Sequence, residues 1–440
     1  MSGKAISNFV IVSLVPLALN GAEPTYKVIH HPNPSPPRGA YLGHSVTVLD
    51  WNDDGTPDIA AGAPGENCAY IFMGPNFEHH ERVSIDDLDK DDRFGNKVTS
   101  GNLDGKAGDE LVVAAPGANV PGVKKAGAVW VCARKETHII NRKLTSKEPR
   151  ENGMFGNDIE VGDFNADGRI DVAASSPGLS GGPSTGTASL FFNLRGFLDD
   201  RKEIILRNHQ KEGYANFGHD LAVCDWNADG KDDLCVGAIW NTHSKGVKGG
   251  GQLILYVGPI DETGRAVERR IFEDNLTSAD DEIVRWGMSI DARGQTILVG
   301  SPRKDVPPVI DAGMGFAFRP GKKVRNYSPK PVKNGILGYR ARAVDLIGDN
   351  TPDLAFMSLP VGTYVWDGAK PDGNPEFIPR LKGASSHWCS GAVAAQIVPG
   401  GKEELVMGSP RWGPPGKPRS RQSGRLLIMQ VDGQSEANTE

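Results

Sequence analysis

The stretch GDFNADGRIDVAASSPG, residues 162–178, decides how this sequence is interpreted. Acidic and amide side chains alternate through it, a glycine lies among them, and a run of apolar residues follows directly. The same pattern returns as LDWNDDGTPDIAAGAPG from Leu49 and as CDWNADGKDDLCVGA from Cys224. A polar loop that leads straight into an apolar strand therefore occurs at least three times, which indicates a repeat protein.

The composition is that of a loop-rich β protein. The chain has 440 residues, 38% of them hydrophobic, with 55 Gly and 31 Pro, so turns are frequent and long helices are not expected. The net charge of -6 is mild and argues against a nucleic-acid partner. No apolar stretch is long enough to span a bilayer.

The N-terminus is typical of a secretory signal. Lys4 precedes the apolar run FVIVSLVPLAL (9–19), and Gly21 and Ala22 supply small residues for cleavage. We expect a signal peptide at 1–22, a single domain at 23–433, and a disordered tail at 434–440. The alternative for the apolar run is a buried first strand. The protein is accordingly predicted to be secreted, periplasmic or at the cell surface, and monomeric.

Five cysteines leave at least one thiol unpaired within the chain. Cys224 and Cys235 bracket one acidic loop. They could form a disulfide across the hairpin, or they could be two small buried side chains.

An aromatic or apolar residue followed by glycine marks the start of each repeat. The marker recurs at intervals of about fifty to seventy residues, beginning at Leu42, Phe94, Phe155, Phe217, Trp286 and Leu337, with a degenerate seventh copy at Trp388. Each copy continues into a strand, a polar loop and a second strand that ends in a small-residue turn such as GAPG (62–65). A third apolar strand and a fourth, more polar strand follow in most copies. The fold class is therefore all-β, a seven-bladed β-propeller of four-stranded antiparallel blades.

The two ends of the chain predict how the ring closes. After RLLIMQV (425–431) too little sequence remains for a fourth strand in the last blade, whereas YKVIHH (26–31) precedes the first repeat without a blade of its own. We predict that the N-terminal strand completes the seventh blade as its outer strand, because an unsealed ring would leave exposed sheet edges. The alternative is a disordered N-terminal segment.

These markers, in fixed order from Tyr26 to about Gln430, resemble the FG-GAP repeat family. The chain is similar to the N-terminal propeller of integrin α subunits and to the propeller of glycosylphosphatidylinositol-specific phospholipase D. The resemblance implies a calcium-binding propeller used in cell adhesion. The sequence shows no counterpart of the integrin leg domains, of a membrane anchor or of the catalytic zinc domain, so we expect neither relative's complete function.

The acidic loops have the spacing of calcium ligands. Oxygens at loop positions 1, 3, 5 and 9, with a main-chain carbonyl at position 7 and a glycine at position 6, resemble an EF-hand loop that enters a strand instead of a helix. The predicted ligands are Asp50, Asn52, Asp54, Thr56 and Asp58 in the first repeat, Asp163, Asn165, Asp167, Arg169 and Asp171 in the third, and Asp225, Asn227, Asp229, Lys231 and Asp233 in the fourth. Thr56, Arg169 and Lys231 would each contribute a carbonyl. The alternative is an acidic turn held by Asx hydrogen bonds.

Two further loops keep part of this pattern. The second repeat offers Asn102, Asp104 and Asp109 in a shortened loop as a possible site. The sixth keeps Asp345, Asp349 and Asp353 but has Ile347 at position three, so we expect weak occupancy or none. Clustered carboxylates repel one another until a divalent ion binds, so the cofactor is predicted to be Ca²⁺ in a structural role.

Strand parity places the loops between second and third strands on the face opposite the acidic loops. Positive residues predominate there over Glu66, Asp305 and Asp311; they are Lys124, Lys125, Lys245, Lys248, Arg303, Lys304, Arg411, Lys417, Arg419 and Arg421. The candidate ligand-binding residues are Lys124, Lys125, Trp240, Lys245, Arg411, Trp412, Arg419 and Arg421. They suggest an acidic glycan or an extracellular protein as partner, or else loops whose charge only aids solubility.

No catalytic motif such as GxSxG or HExxH is present, which favours a non-catalytic protein. The leading hypothesis is a calcium-stabilised propeller that binds matrix, glycan or protein outside the cell. The alternatives are an integrin-like propeller lectin, and a polysaccharide lyase whose His, Tyr and Arg would converge near the propeller axis.

Overall fold

The computed structural model describes residues 25–136, 138–178, 185–192, 194, 202–210, 215–244, 246, 249–274, 285–379, 391–397, 401–413 and 422–430. The predicted signal peptide and tail lie outside the described residues. So do Lys245, Lys248, Lys417, Arg419 and Arg421. No helix in the described part of the chain could cross a membrane.

Seven four-stranded antiparallel sheets form the blades of a β-propeller, which confirms the predicted fold class. Blade 1 contains β2 (Val46–Leu49), β3 (Asp58–Ala63), β4 (Cys68–Phe72) and β5 (His80–Val83). Blade 2 contains β6 (Lys97–Gly101), β7 (Glu110–Ala115), β8 (Ala128–Lys135) and β9 (His138–Leu144). Blade 3 contains β10 (Ile159–Gly162), β11 (Asp171–Ser176), β12 (Thr187–Phe192) and β13 (Lys202–Arg207).

The remaining blades follow the same order. Blade 4 contains β14 (Phe217–Cys224), β15 (Asp233–Ala238), β16 (Gln252–Val257) and β17 (Glu268–Phe272). Blade 5 contains β18 (Ser289–Arg293), β19 (Thr296–Ser301), β20 (Met314–Phe318) and β21 (Arg325–Tyr327). Blade 6 contains β22 (Arg340–Val344), β23 (Asp353–Ser358), β24 (Gly362–Trp366) and β25 (Glu376–Pro379). Blade 7 contains β26 (Ala392–Ala395), β27 (Glu404–Gly408), β28 (Arg425–Gln430) and the N-terminal strand β1 (Thr25–His30).

The N-terminal strand closes the ring as predicted. β1 pairs antiparallel with β28 from Thr25 opposite Gln430 to His30 opposite Arg425. It is the outer strand of blade 7, so the two ends of the described chain share one sheet.

The hydrophobic core lies between blades. Seven clusters of buried residues are present among the described residues, and each spans one pair of adjacent blades. One cluster, for example, joins Ile71 of blade 1 to Val98 and Trp130 of blade 2. No blade buries both of its faces alone, which is why the repeats are stable only as a closed ring.

The repeat marker locks neighbouring blades together. Phe155 forms a parallel bridge with Gly127 of the preceding blade, and Leu42, Phe217 and Leu337 each form the same bridge with a glycine of the blade before theirs. A Cβ on Gly127 would lie 2.2 Å from the Phe155 carbonyl oxygen, so only glycine fits. The aromatic residue is buried in the inter-blade core, and the glycine after it adopts positive φ, +83° at Gly156.

Cys224 and Cys235 are both buried free thiols, with their sulfur atoms 3.9 Å apart. The interpretation as two small buried side chains is the one that the structure shows.

Candidate functional site

Each acidic loop is a turn wound around its first carboxylate. In blade 1 the two oxygens of Asp50 accept the N–H groups of Asp54 at 3.1 Å and Gly55 at 2.9 Å. The same two bonds recur around Asp163 in blade 3 and Asp225 in blade 4. The glycine at position six has positive φ in all three loops: Gly55, Gly168 and Gly230. These are the Asx-type hydrogen bonds expected of an acidic turn, the alternative to a calcium-binding loop, and they form in the same way in three blades.

The carboxylate at position nine is buried beneath the loop. Asp58 is fully buried and accepts the N–H groups of Trp51 at 3.1 Å and Gly74 at 2.7 Å. Asp233 has the equivalent two donors. Asp171 differs, because neither of its oxygens has a hydrogen-bond partner among the described residues. The N–H groups of Phe164 and Asn165 nevertheless face this carboxyl group closely enough to lower its pKa.

Burial raises the pKa of Asp58 and of Asp233 to about 6, although the N–H donors oppose that shift. It raises the pKa of Asp171 to about 8. In all three loops the carboxylates at positions five and one raise the pKa further. Each loop therefore brings three carboxyl groups together at close range, and in blade 3 the Arg169 guanidinium pairs with one of them, Asp167.

The donor chemistry of the loops fits a hard divalent cation. Asn52 has a buried side-chain oxygen with no hydrogen-bond partner, and both oxygens of Asp171 are in the same state. Carboxylate, amide and carbonyl oxygens are the ligands that Ca²⁺ prefers. Within the described ranges, no three His, Cys, Asp or Glu side chains converge into a metal-holding group, so an ion would also draw on amide and main-chain oxygens.

In the second loop the last acidic position lies one residue later than the predicted Asp109. Glu110 occupies position nine, where it accepts the N–H of Leu103 at 2.7 Å, as Asp58 does from Trp51. The loop is therefore not shortened. Asp109 turns away and accepts the N–H of Asp50 in blade 1 at 2.9 Å. Two adjacent acidic residues made the choice ambiguous from spacing alone.

The sixth loop keeps the turn despite its apolar third position. Asp345 accepts the N–H groups of Asp349 and Asn350, and Asn350 replaces the usual glycine with φ of 62°. Asp353 is buried at position nine. The loop geometry is thus independent of the residue at position three.

Acidic residues at position eight connect the loops of adjacent blades, a contact that the loop spacing did not predict. Asp232 of blade 4 accepts the N–H of Asp163 in blade 3 at 2.7 Å. Glu403 of blade 7 accepts the N–H of Asp345 in blade 6 at 2.8 Å. Together with Asp109, these residues join the first loop residue of one blade to the next blade. The signal available in the sequence was a second acidic residue directly before position nine.

A cavity of about 580 Å³ runs along the propeller axis, lined by the innermost strands. Side chains two residues after the repeat glycine accept a backbone N–H from the next blade. Asp158 accepts from Leu221 at 2.7 Å, Asp220 from Ile290 at 2.6 Å, and Ser45 from Val98 at 3.1 Å. These bonds tie successive inner strands into a ring around the axis.

The lining of the axial cavity is charged and paired across blades. The Lys97 ammonium contacts the Asp158 carboxylate and lies 3.5 Å from Glu160. Burial alone would raise the pKa of Asp158. The Lys97 charge and the hydrogen bonds that Asp158 accepts outweigh burial, so its pKa is lowered overall. Burial and the Asp158 charge raise the pKa of Asp220 to about 8. Asp220 is therefore the protonated partner of the Asp158–Asp220 hydrogen bond at neutral pH.

The axial cavity also gathers the residue types that a lyase would use. His44, His219, Tyr339 and Arg340 line it, and burial lowers the pKa of both histidines to about 4, so they are neutral at pH 7. The same lining contains five carboxylates, from Asp158, Glu160, Asp220, Asp291 and Glu403.

On the opposite face, Lys124, Lys125 and Arg411 are exposed. Lys304 does not contribute to this positive surface, because it is buried in an ion pair with Asp274 at 2.6 Å. Trp240 is half-buried with the Arg285 guanidinium 5.8 Å from its ring.

Trp412 is half-buried and packs against the closure strand. Its ring lies 5.1 Å from that of His30 in β1 and 5.0 Å from the Arg425 guanidinium in β28. Trp412 thus contributes to ring closure, whatever it binds.

Comparison with known proteins finds phosphatidylinositol-glycan-specific phospholipases D and integrin alpha subunits among the relatives of this chain. It is 27% identical over 311 residues to phosphatidylinositol-glycan-specific phospholipase D of Dictyostelium discoideum, covering 61% of this chain and 32% of that protein. It is 26% identical to integrin alpha-5 of Xenopus laevis, over 46% of this chain and 20% of that protein. Integrin alpha-11 of Homo sapiens is 30% identical over 46% of this chain and 18% of its own length. No protein-family model matches the chain.

These relatives confirm the resemblance to integrin-like FG-GAP propellers. The matches cover no more than about a third of each of these relatives. A solved structure of similar fold is the crystal structure of BBS1N in complex with ARL6DN, soaked with lead. It has a TM-score of 0.53 at 11% identity and covers 93% of this chain and 98% of that one.

Proposed function

We propose that this chain is a calcium-stabilised β-propeller that acts outside the cell as a binding module for a protein or glycan, in adhesion or matrix contact. The observation that carries the proposal is a difference between the two faces of the propeller. One face has acidic loops of the same geometry in several blades. The loops of the opposite face differ from blade to blade and expose Lys124, Lys125 and Arg411. Binding residues are usually found on variable loops of a rigid scaffold.

The proposal is tested by measuring retention of the purified protein on immobilised matrix proteins and on a glycan array, each with calcium and with chelator. Calcium-dependent retention on a defined ligand supports it. Equal, weak retention on every surface in both conditions contradicts it.

Calcium binding should raise the melting temperature. Ligands that bind only the folded state stabilise it by about 2.7 kcal/mol per site at a hundred times Kd, so removing Ca²⁺ with a chelator should lower Tm by several degrees. Differential scanning calorimetry in excess chelator, then with added Ca²⁺ or Mg²⁺, measures the effect. We expect Ca²⁺ to restore Tm and Mg²⁺ to do so less completely.

Matched variants localise the ions. Asp163→Ala and Asp225→Ala should each reduce the calcium-induced rise in Tm. Asp345→Ala alters the same hydrogen-bonded turn in blade 6, where Ile347 replaces an oxygen ligand, and should leave that rise unchanged. The same calcium response in all three variants would show that these loops are only Asx turns.

A second candidate function is polysaccharide lyase activity, favoured by the convergence of His44, His219, Tyr339 and Arg340 on the axial cavity. Three cations of the same lining, Lys97, Arg293 and Arg342, are already paired with carboxylates of the chain and are not available to a uronate polymer, which places this candidate behind binding. Growth of ultraviolet absorbance from unsaturated products on uronate polymers, lost in His44→Ala, would establish it.

A further inference from the structure

An exposed apolar ridge lies on the face opposite the acidic loops, at the junction of blades 5 and 6. We define it by Pro307, Pro308, Ile310, Pro331 and Val332, all exposed. Ile310 is 57% exposed and Val332 43%, and they are two of the four large exposed hydrophobic residues in the described part of the chain. Apolar side chains left in water on a rigid surface often mark a protein contact.

The apolar ridge is held in place by backbone hydrogen bonds. Val306 and Val309 exchange two of them, at 2.9 and 2.8 Å, so Pro307 and Pro308 form the tip of a tight hairpin. The following blade connection bonds to this hairpin, because Asn334 donates its N–H to the Ile310 carbonyl at 3.1 Å. The ridge is therefore a joint surface of two loops, preorganised for binding.

A shallow crevice lies next to the ridge, lined by Val332, Leu337, Val361 and Tyr364 among others. Its volume is only about 10 Å³, too small to enclose a side chain. An anchor side chain from a partner would therefore lie across Ile310 and Val332, where it would bury apolar area on both sides.

The charges around the ridge indicate the chemistry of the partner. The Arg303 guanidinium is paired with Asp311 at 3.0 Å, and Asp305 accepts the Asp311 N–H at 2.7 Å. Lys330 and Lys333 are exposed, and neither has an ion pair with a described residue. Two available ammonium groups next to an apolar surface complement a segment that combines an apolar anchor with acidic residues.

We propose that the ridge docks an extended peptide segment of a partner protein, one that places a large aliphatic or aromatic side chain next to Asp or Glu. The proposal rests on the binding function proposed above and names the partner's chemistry. The anchor covers Ile310 and Val332, and the acidic groups meet Lys330 and Lys333.

The test uses the full chain and a random dodecapeptide library displayed on phage. Selection on the wild type should enrich peptides with an apolar anchor flanked by acidic residues. Synthetic versions of these peptides should lose about tenfold or more in affinity for Ile310→Asp/Val332→Asp and for Lys330→Glu/Lys333→Glu, as expected when anchor contacts are lost. Fluorescence anisotropy measures the affinities, and unchanged Tm values show that the exposed substitutions leave the fold intact.

The chain offers matched controls for both pairs. Val267→Asp changes an apolar residue that is 70% exposed near the outer strand of blade 4. Lys322→Glu/Lys323→Glu reverses two exposed charges between β20 and β21, on the acidic-loop face. Both should keep affinity within about twofold of the wild type, a change too small to reflect a lost contact.

Three outcomes overturn the docking site. The first is the absence of any enriched peptide, and the second is binding that the Ile310→Asp/Val332→Asp variant retains. The third is displacement by heparin of acidic peptides that lack an apolar residue, because charge alone would then explain binding. If one of these outcomes occurs while the wild type shows a calcium-dependent matrix or glycan interaction, the ridge proposal fails and the proposed function stands.

Discussion

Replacing Val28 by Asp is expected to open the ring and to lower Tm by about ten degrees or more, because the ring cannot close around an unpaired charge in its core. Val28 is only 4% exposed in the cluster that joins blades 6 and 7, opposite Leu427 of β28. An ionised carboxylate there costs about 4 kcal/mol or more, near the upper end for single substitutions. Circular dichroism during heating measures the change.

Lys27→Gln is the matched control on the same strand. Lys27 lies on the other side of β1, half-buried, with its ammonium 4.9 Å from the Phe77 ring. Losing that contact costs about 1 kcal/mol or less. Similar small shifts for the two variants would mean that β1 contributes little to closure.

The Val28→Asp variant should also associate. An unsealed ring exposes the edge of β28, which can pair with a strand from another molecule. Size-exclusion chromatography should show oligomers, and a peptide of residues 25–31 added in trans should reduce them.

Asp158→Asn and Asp220→Asn are expected to have opposite effects, although the two carboxyl groups share a hydrogen bond. Asp158→Asn removes the nearer carboxylate partner of the partly buried Lys97 ammonium, which keeps only the more distant Glu160 carboxylate at 3.5 Å. Breaking a buried pair costs about 3 kcal/mol or more, so Tm should fall by several degrees at neutral pH.

Asp220→Asn mimics the protonated form that the folded protein prefers. The pKa of Asp220 is about 8 when folded, because burial and the Asp158 charge raise it, against an ordinary value of 3.8. As pH rises, the Asp220 carboxyl group loses its proton at a lower pH in the unfolded chain than in the folded protein. The wild type therefore loses stability between about pH 4 and about pH 8. Asp220→Asn should match the wild type near pH 4 and exceed it above pH 8.

Urea denaturation of both variants at pH 5 and pH 8.5 tests this pair of predictions. The free energy of unfolding of Asp220→Asn should differ less between pH 5 and pH 8.5 than that of the wild type. Asp158→Asn should be less stable than the wild type at both pH values. A pH dependence that Asp220→Asn leaves intact would assign the effect to other groups, such as Glu160, whose pKa burial raises to about 7.

The sequence predicted the features that repeat along the chain. The marker at Leu42, Phe94 and Phe155 sets the blade period, and counting strands at the two ends predicted that β1 pairs with β28. The spacing shared by three acidic loops also predicted one common loop geometry, whereas the calcium sites there stay predictions. The confirmed predictions succeeded because each depends on order along the chain.

The sequence did not predict the side-chain contacts between neighbouring blades. Asp158 of blade 3 accepts an N–H from Leu221 of blade 4, and no local pattern shows which residues meet around the axis. Asp109 and Glu110 are adjacent and both acidic, so the sequence did not show which of them would occupy position nine of the loop. Lys304 lies in a loop rich in positive residues, but its side chain is buried in an ion pair with Asp274 and is not part of the exposed positive surface.

The pairing of β1 with β28 has a consequence for biosynthesis. The ribosome makes β1 before every other described strand and β28 after them, so the sheet that they share cannot exist until all seven blades have been translated. Contacts between residues so far apart along the chain form slowly. Until they form, the incomplete chain exposes apolar surface and unpaired strand edges. Nascent chains of this protein should therefore depend on chaperones until the last blade is released.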